Sequence, residues 1–138
     1  MYRENKAALR CGVDIIEIER VARVYARRPR LFLKRLFTAR EQEQLAVKRH
    51  TARHLAARFA AKEAVFKLLG LGIGDLDWTE VEILSLPGGE PVVHLFGKAA
   101  KRAAELSLSS VALSLSHCRK YAVAFATALV LKKTPPAP

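Results

Sequence analysis

TARHLAARFAAKEAVFKLLG, Thr51 to Gly70, decides how the chain folds. It is rich in alanine and leucine, the residues that lose least on entering a helix, and it has no proline or glycine before its last position. It ends on Gly70, the residue type that most readily takes the left-handed conformation closing a helix. The stretch therefore reads as one long helix from about Thr51 to Leu69, central to whatever surrounds it.

Upstream, CGVDIIEIERV is dense in valine and isoleucine and reads as a strand over about residues 9–17 running into a helix. Helical spacing continues from Ile18 to Arg28, Pro29 interrupts it, and LFLKRLF resumes it. Thr38 stands three residues before Glu41, the spacing of a capping box, and opens a further helix. Downstream of GLGIGD come strands near Val81–Leu86 and Pro91–Phe96 around a PGGE turn, then an alanine-rich helix to about Leu106. VALSLSHC and YAVAFATALV, separated only by Arg119 and Lys120, suit an antiparallel hairpin. The fold class expected is α+β, a single domain with a mainly antiparallel sheet packed around the central helix. Residues 9–131 form that domain, with an N-terminal extension over 1–8 and a frayed tail over 132–138. At 138 residues the chain can bury a core without disulfides or structural metals.

Charge bounds the partners. Lysine and arginine total 24 against 13 acidic residues, a formal net charge of +11, so anionic partners are expected. No uninterrupted apolar run approaches the roughly 18 residues of a membrane helix, and the N-terminus lacks a secretory apolar stretch, so the cytoplasm is the expected compartment. Cys11 and Cys118 lack the spacing of a zinc site or a disulfide framework and are expected to be reduced.

Three places break the local pattern. Asp14 lies inside an apolar strand, where an unpaired carboxylate would cost several kcal/mol, so it needs a cation, donors or an open edge. Arg58 and Lys62 are four apart on one helix face, an arrangement a shared phosphate would relieve, while Glu63 falls a turn after Phe59 and a turn before Lys67. In SLSHC, strand alternation places His117 with Val111, Leu113 and Leu115, so that taken singly it reads as a core histidine. The glycines at 70, 72 and 74 follow a helix end and so form neither a P-loop nor a dinucleotide fingerprint.

Together and in this order, GVDIIEIERV, LFTAREQEQL, ARFAAKEAVFKLLGLGIG and ALSLSHCRKYAVA resemble the short bacterial phosphopantetheinyl transferases, the holo-acyl-carrier-protein synthases. The resemblance departs at Leu71, where threonine is frequent, and at Cys118, where a polar residue is. It implies transfer of the 4′-phosphopantetheine arm of coenzyme A to a serine of an acidic apo acyl carrier protein, a transferase step serving fatty acid biosynthesis. Asp14 and Glu63 would be magnesium ligands, and the serine proton would pass to Glu63 or to a metal-bound water. Lys62 would steady phosphate oxygens. Arg58, Lys67 and His117, with backbone at Gly70 and Gly72, would hold the nucleotide. Arg20, Arg27 and Arg30 would grip the carrier. The family also implies a homotrimer.

The competing reading is a non-catalytic basic nucleic-acid-binding domain. It rests on charge alone, for Trp78 is the only tryptophan and no aromatic-basic strand signature, zinc finger or helix-turn-helix stands out. A catalytically dead scaffold of the same fold is less consistent with retention of both Asp14 and Glu63.

Overall fold

A computed structural model describes residues 9–72 and 74–131, so the expected extension over 1–8 and the tail over 132–138 lie outside the described residues. The elements run β1 (Leu9–Glu17), α1 (Ile18–Arg27), α2 (Pro29–Leu36), α3 (Ala39–Val47), α4 (Ala52–Leu69), β2 (Val81–Ser85), β3 (Pro91–Leu95), α5 (Gly97–Glu105), β4 (Ala112–His117) and β5 (Tyr121–Leu129). A short 3-10 turn, Trp78–Glu80, precedes β2. The expected antiparallel pairing is divided between two sheets, β1-β5-β4 and β2-β3.

Local chemistry explains the breaks between elements. Proline disfavours a helical conformation in the residue before it, and Arg28 leaves the helix while Pro29 starts α2 at its first position, where no N–H is needed. The capping box at the start of α3 forms as the sequence indicates. The Thr38 side chain accepts from the Glu41 N–H, and the Glu41 side chain accepts from the Thr38 N–H. Gly70 closes α4 at φ 70°, and Leu71 N–H donates to Phe66 O in the six-to-one bond of a Schellman cap.

The three-stranded sheet holds α4 through small residues. Alternation along β5 turns Ala122, Ala124, Ala126 and Ala128 inward, all buried, against a helix surface that includes Ala60, Ala61 and Ala64. On β1 the same alternation turns Gly12 inward, and a Cβ there would collide with the Ala64 carbonyl and sit 2.8 Å from the Leu68 nitrogen. Strand and helix backbones are in direct contact at that point. A second apolar cluster, built on Phe32, Leu36, Phe37, Leu45 and Leu55, packs α1 to α3 on the first half of α4.

Among the described residues, the outer face of the three-stranded sheet is apolar and uncovered. Leu9, Val13 and Ile15 of β1 and Tyr121, Phe125 and Leu129 of β5 are all exposed.

Gly12→Ala is expected to lower folding stability by about 1–3 kcal/mol, because the added methyl meets backbone rather than a yielding side chain. Gly88→Ala, in open space on the β2–β3 turn, should stay within about 0.5 kcal/mol. Urea unfolding of both variants checks this.

Candidate functional site

The approach of β1 to α4 sets the first cluster. Two residues beyond Gly12 on the same face of β1 is Asp14, and beside Ala64 on α4 is Glu63. Both carboxylates line a cleft of about 760 Å³ between β1, α1, α2 and α4. Lys67, one turn beyond Glu63, donates to the Val13 carbonyl at 2.8 Å and pairs with Asp14 Oδ1 at 3.3 Å. The lysine is half exposed and the aspartate side chain retains 17% exposure. The cation that the awkwardly placed Asp14 requires is thus present, in an open pair rather than a sealed one. Burial pushes the Glu63 carboxyl above its ordinary value, the negative charge of Asp14 pushes it further, and Lys67 partly offsets both.

Two carboxylates close enough to repel, opening on one cleft, suit a hard divalent cation. Magnesium commonly takes only one or two protein carboxylates, completing its octahedron with water and phosphate oxygens. No cluster of three or more metal-ligating side chains occurs among the described residues, which leaves Asp14 and Glu63 as a two-ligand arrangement that fits magnesium.

The same cleft carries the basic residues of α1 and α2. Arg20, Arg27, Arg28 and Arg35 line it together with apolar Val24, Leu31 and Phe59. Arg30 is exposed on α2 but is not part of the lining.

A second cleft, of about 430 Å³, opens on a different face of α4, between α3 and the β2–β3 turn. Arg58 lines it, donates to Ser85 Oγ, and leaves its Nη1 buried with no partner among the described residues. His54 and Lys48 line it as well. His54 is held below its ordinary pKa by burial first and then by the positive charges of Lys48, Arg53, Arg58 and His117. His117 is not part of this cleft's lining.

The structure corrects three expectations. Lys62 and Arg58 do not share an anion. Lys62 is fully buried and donates to Glu41 Oε1 at 2.8 Å, Trp78 O at 2.9 Å and Val81 O at 2.6 Å, which uses all three ammonium protons. His117 is exposed at the end of β4, so it is no core histidine. Nor do Gly70 and Gly72 offer free N–H donors, since the first bonds Lys67 O and the second bonds Asp75 Oδ2.

Several structural partners went unnoticed in the sequence. Glu41 was legible as a helix cap but not as the counter-ion of Lys62, 21 residues away. Ser85 and Gln44, which exchange two hydrogen bonds across the second cleft, carry no motif at all.

Residues 10–126 match the family described as the 4'-phosphopantetheinyl transferase superfamily. The chain belongs to this family. A curated relative from Natranaerobius thermophilus, a holo-[acyl-carrier-protein] synthase, is 47% identical over 113 residues, covering 82% of this chain and 90% of that protein. A protein of the same description from Moorella thermoacetica is 47% identical over 118 residues, covering 86% and 91%. Among solved structures, the Neisseria meningitidis holo-[acyl-carrier-protein] synthase superposes with a TM-score of 0.77 at 30% identity, covering 86% of this chain and 96% of that one. The Helicobacter pylori transferase, solved in complex with coenzyme A, superposes with a TM-score of 0.75 at 27% identity, covering 86% and 98%.

Because the folded Glu63 carboxyl binds its proton more tightly than the unfolded one, its contribution to stability is full below the ordinary carboxylate range and is lost as pH rises through the raised value. Without divalent metal, Glu63→Gln should therefore melt higher than the parent at neutral pH, the difference closing as pH falls to about 4. Added magnesium should raise the parent's melting temperature and leave that of Glu63→Gln nearly unchanged. Calorimetric scans across pH, with and without magnesium, check both.

Proposed function

We propose that this chain transfers the 4′-phosphopantetheine group of coenzyme A to a serine of an apo acyl carrier protein, releasing 3′,5′-ADP. The observation that carries the reading is the meeting of Asp14 and Glu63 in a cleft rimmed by arginines, in a member of this transferase family. The serine oxygen attacks the phosphorus bearing the pantetheine arm, the bond from that phosphorus to the bridging pyrophosphate oxygen breaks, and the serine proton must leave. Glu63, which lines the cleft, suits the role of acceptor, directly or through a water. Asp14 and Glu63 would hold a magnesium ion, which would supply neutralisation of charge on the pyrophosphate of coenzyme A. Lys67 is placed to move from Asp14 to a phosphate oxygen of the bound substrate.

Arg58, with its unpartnered Nη1, and His117 hold the nucleotide and its 3′-phosphate. Arg58 stands toward the start of α4 and on another face from Glu63 and Lys67, and neither cleft contains both Glu63 and Arg58. A second copy of the chain would supply the missing half of each site. The apolar outer face of β1 and β5 offers a surface for that association, and the assembly we read into it is the homotrimer with sites between subunits that the family resemblance implies. Arg20, Arg27 and Arg30, exposed on α1 and α2, receive the acidic carrier, which belongs to fatty acid biosynthesis in the cytoplasm. Among the described residues, no helix is long and apolar enough to cross a membrane.

Intact-mass analysis of an apo carrier incubated with the enzyme, coenzyme A and magnesium should show addition of one phosphopantetheine, and no addition would refute the reading. Asp14→Ala should lower turnover by about a hundredfold or more while leaving the fold intact.

Arg20→Glu should raise the KM for carrier roughly tenfold with the coenzyme A KM unchanged, since the lost contacts lie on the rim. A defect confined to coenzyme A would mean the carrier docks elsewhere. Light scattering should show a trimer, and a stable, active monomer would contradict the shared-site arrangement.

A further inference from the structure

Glu41 and Lys62 form a buried junction that the transfer chemistry does not use. Glu41 is 2% exposed and Lys62 is 0% exposed. Glu41 Oε1 accepts from Lys62 Nζ at 2.8 Å and from the Thr38 N–H at 2.9 Å, while Oε2 accepts from the Ile83 N–H at 3.1 Å. Lys62 Nζ donates in addition to the carbonyls of Trp78 and Val81. These bonds tie the N-terminus of α3, the middle of α4 and the entry of β2 to a single point.

Those three elements are the walls of the second cleft. From α3 and the residue that caps it come Gln44 and Lys48, from α4 come His54 and Arg58, and from the end of β2 comes Ser85. Arg58 lies one turn before Lys62 on the same face of α4, and its guanidinium is oriented by Ser85 Oγ. Ser85 is in turn placed by Gln44, which donates to its carbonyl and accepts from its N–H. Arg58 is aimed, then, only while α3 and β2 keep their distance from α4. Fold stability alone does not call for such a pair, since a buried ion pair can often be exchanged for apolar residues of similar volume without loss. An apolar pair supplies no directional bonds to the three walls.

We propose that the Glu41–Lys62 pair is a positioning device for the second cleft, setting the spacing of its α3, α4 and β2 walls so that Arg58 meets a phosphate group of the nucleotide. Lys62 itself touches no substrate. The proposal rests on the reading of this cleft as the nucleotide site, and Arg58→Gln tests that reading separately.

The experiment is calorimetric titration of 3′,5′-ADP into Arg58→Gln, Lys62→Met and the double variant Glu41→Leu/Lys62→Met, with melting temperature and the carrier KM measured for each. Lys62→Met leaves the Glu41 carboxylate buried without a counter-ion and should melt lower, whereas the double variant should recover the melting temperature. Both should bind 3′,5′-ADP about ten- to hundredfold more weakly, the scale on which small misplacements act, with the carrier KM unchanged. If Lys62→Met does not fold, the double variant carries the test. Parent-like affinity in the double variant beside a weakened Arg58→Gln would overturn the positioning role and leave the nucleotide reading standing. Parent-like affinity in Arg58→Gln would overturn both. A double variant that fails to fold would also overturn the proposal, by showing that the fold itself requires the pair.

Discussion

The contact between the backbone of β1 at Gly12 and the carbonyl of Ala64 on α4 is the constraint from which the rest of the site follows. Only glycine permits it, and the inward alanines of β5 let the helix lie close along the whole sheet. With the backbones at that separation, the next inward residue of β1, Asp14, reaches the helix where Glu63 and Lys67 emerge. A larger residue at position 12 would push β1 away from α4 and so draw Asp14 away from Glu63.

α4 works as a divider as much as a core helix. One face carries Phe59 and Glu63 toward the cleft shared with α1 and α2 and Lys67 toward β1, and another carries Arg58 and Lys62 toward α3 and β2. Residues adjacent in sequence therefore serve different ends: Lys62 is sealed among carbonyls and a carboxylate, while Glu63 opens on a cleft. The energetic contrast is large. Removing one partner of a buried pair such as Glu41–Lys62 costs about 3–5 kcal/mol. The exposed Lys67–Asp14 pair is screened by solvent and free to exchange partners.

Much of the fold was legible because its signals are local. β1 spans Leu9–Glu17 where the valine and isoleucine density placed it, the Thr38–Glu41 capping box forms, and α4 stops at Gly70. The awkwardness of Asp14 in an apolar strand was also readable, because burying a charge demands a partner wherever the chain goes. The direction of Lys62 was not readable. Helical spacing puts Arg58 and Lys62 on one face, but only the packing of α3, with Glu41 arriving from 21 residues upstream, determines that the ammonium is sealed in. His117 failed for the opposite reason. Alternation assigned it to the inward face, yet β4 ends there and nothing covers the side chain. The family resemblance offers backbone at Gly70 and Gly72 to the nucleotide, but the N–H of each satisfies a turn of its own segment.

The proposed divalent-cation site joins Asp14 and Glu63, delivered by different elements. A double-mutant cycle on cation affinity tests it most directly, with manganese as a spectroscopic stand-in for magnesium and binding followed by electron paramagnetic resonance in the presence of 3′,5′-ADP. Asp14→Asn and Glu63→Gln should each abolish most of the affinity, and the double variant should be little worse than either, because groups that act as one site are not additive. Additive losses, or manganese binding that survives either single change, would contradict the account.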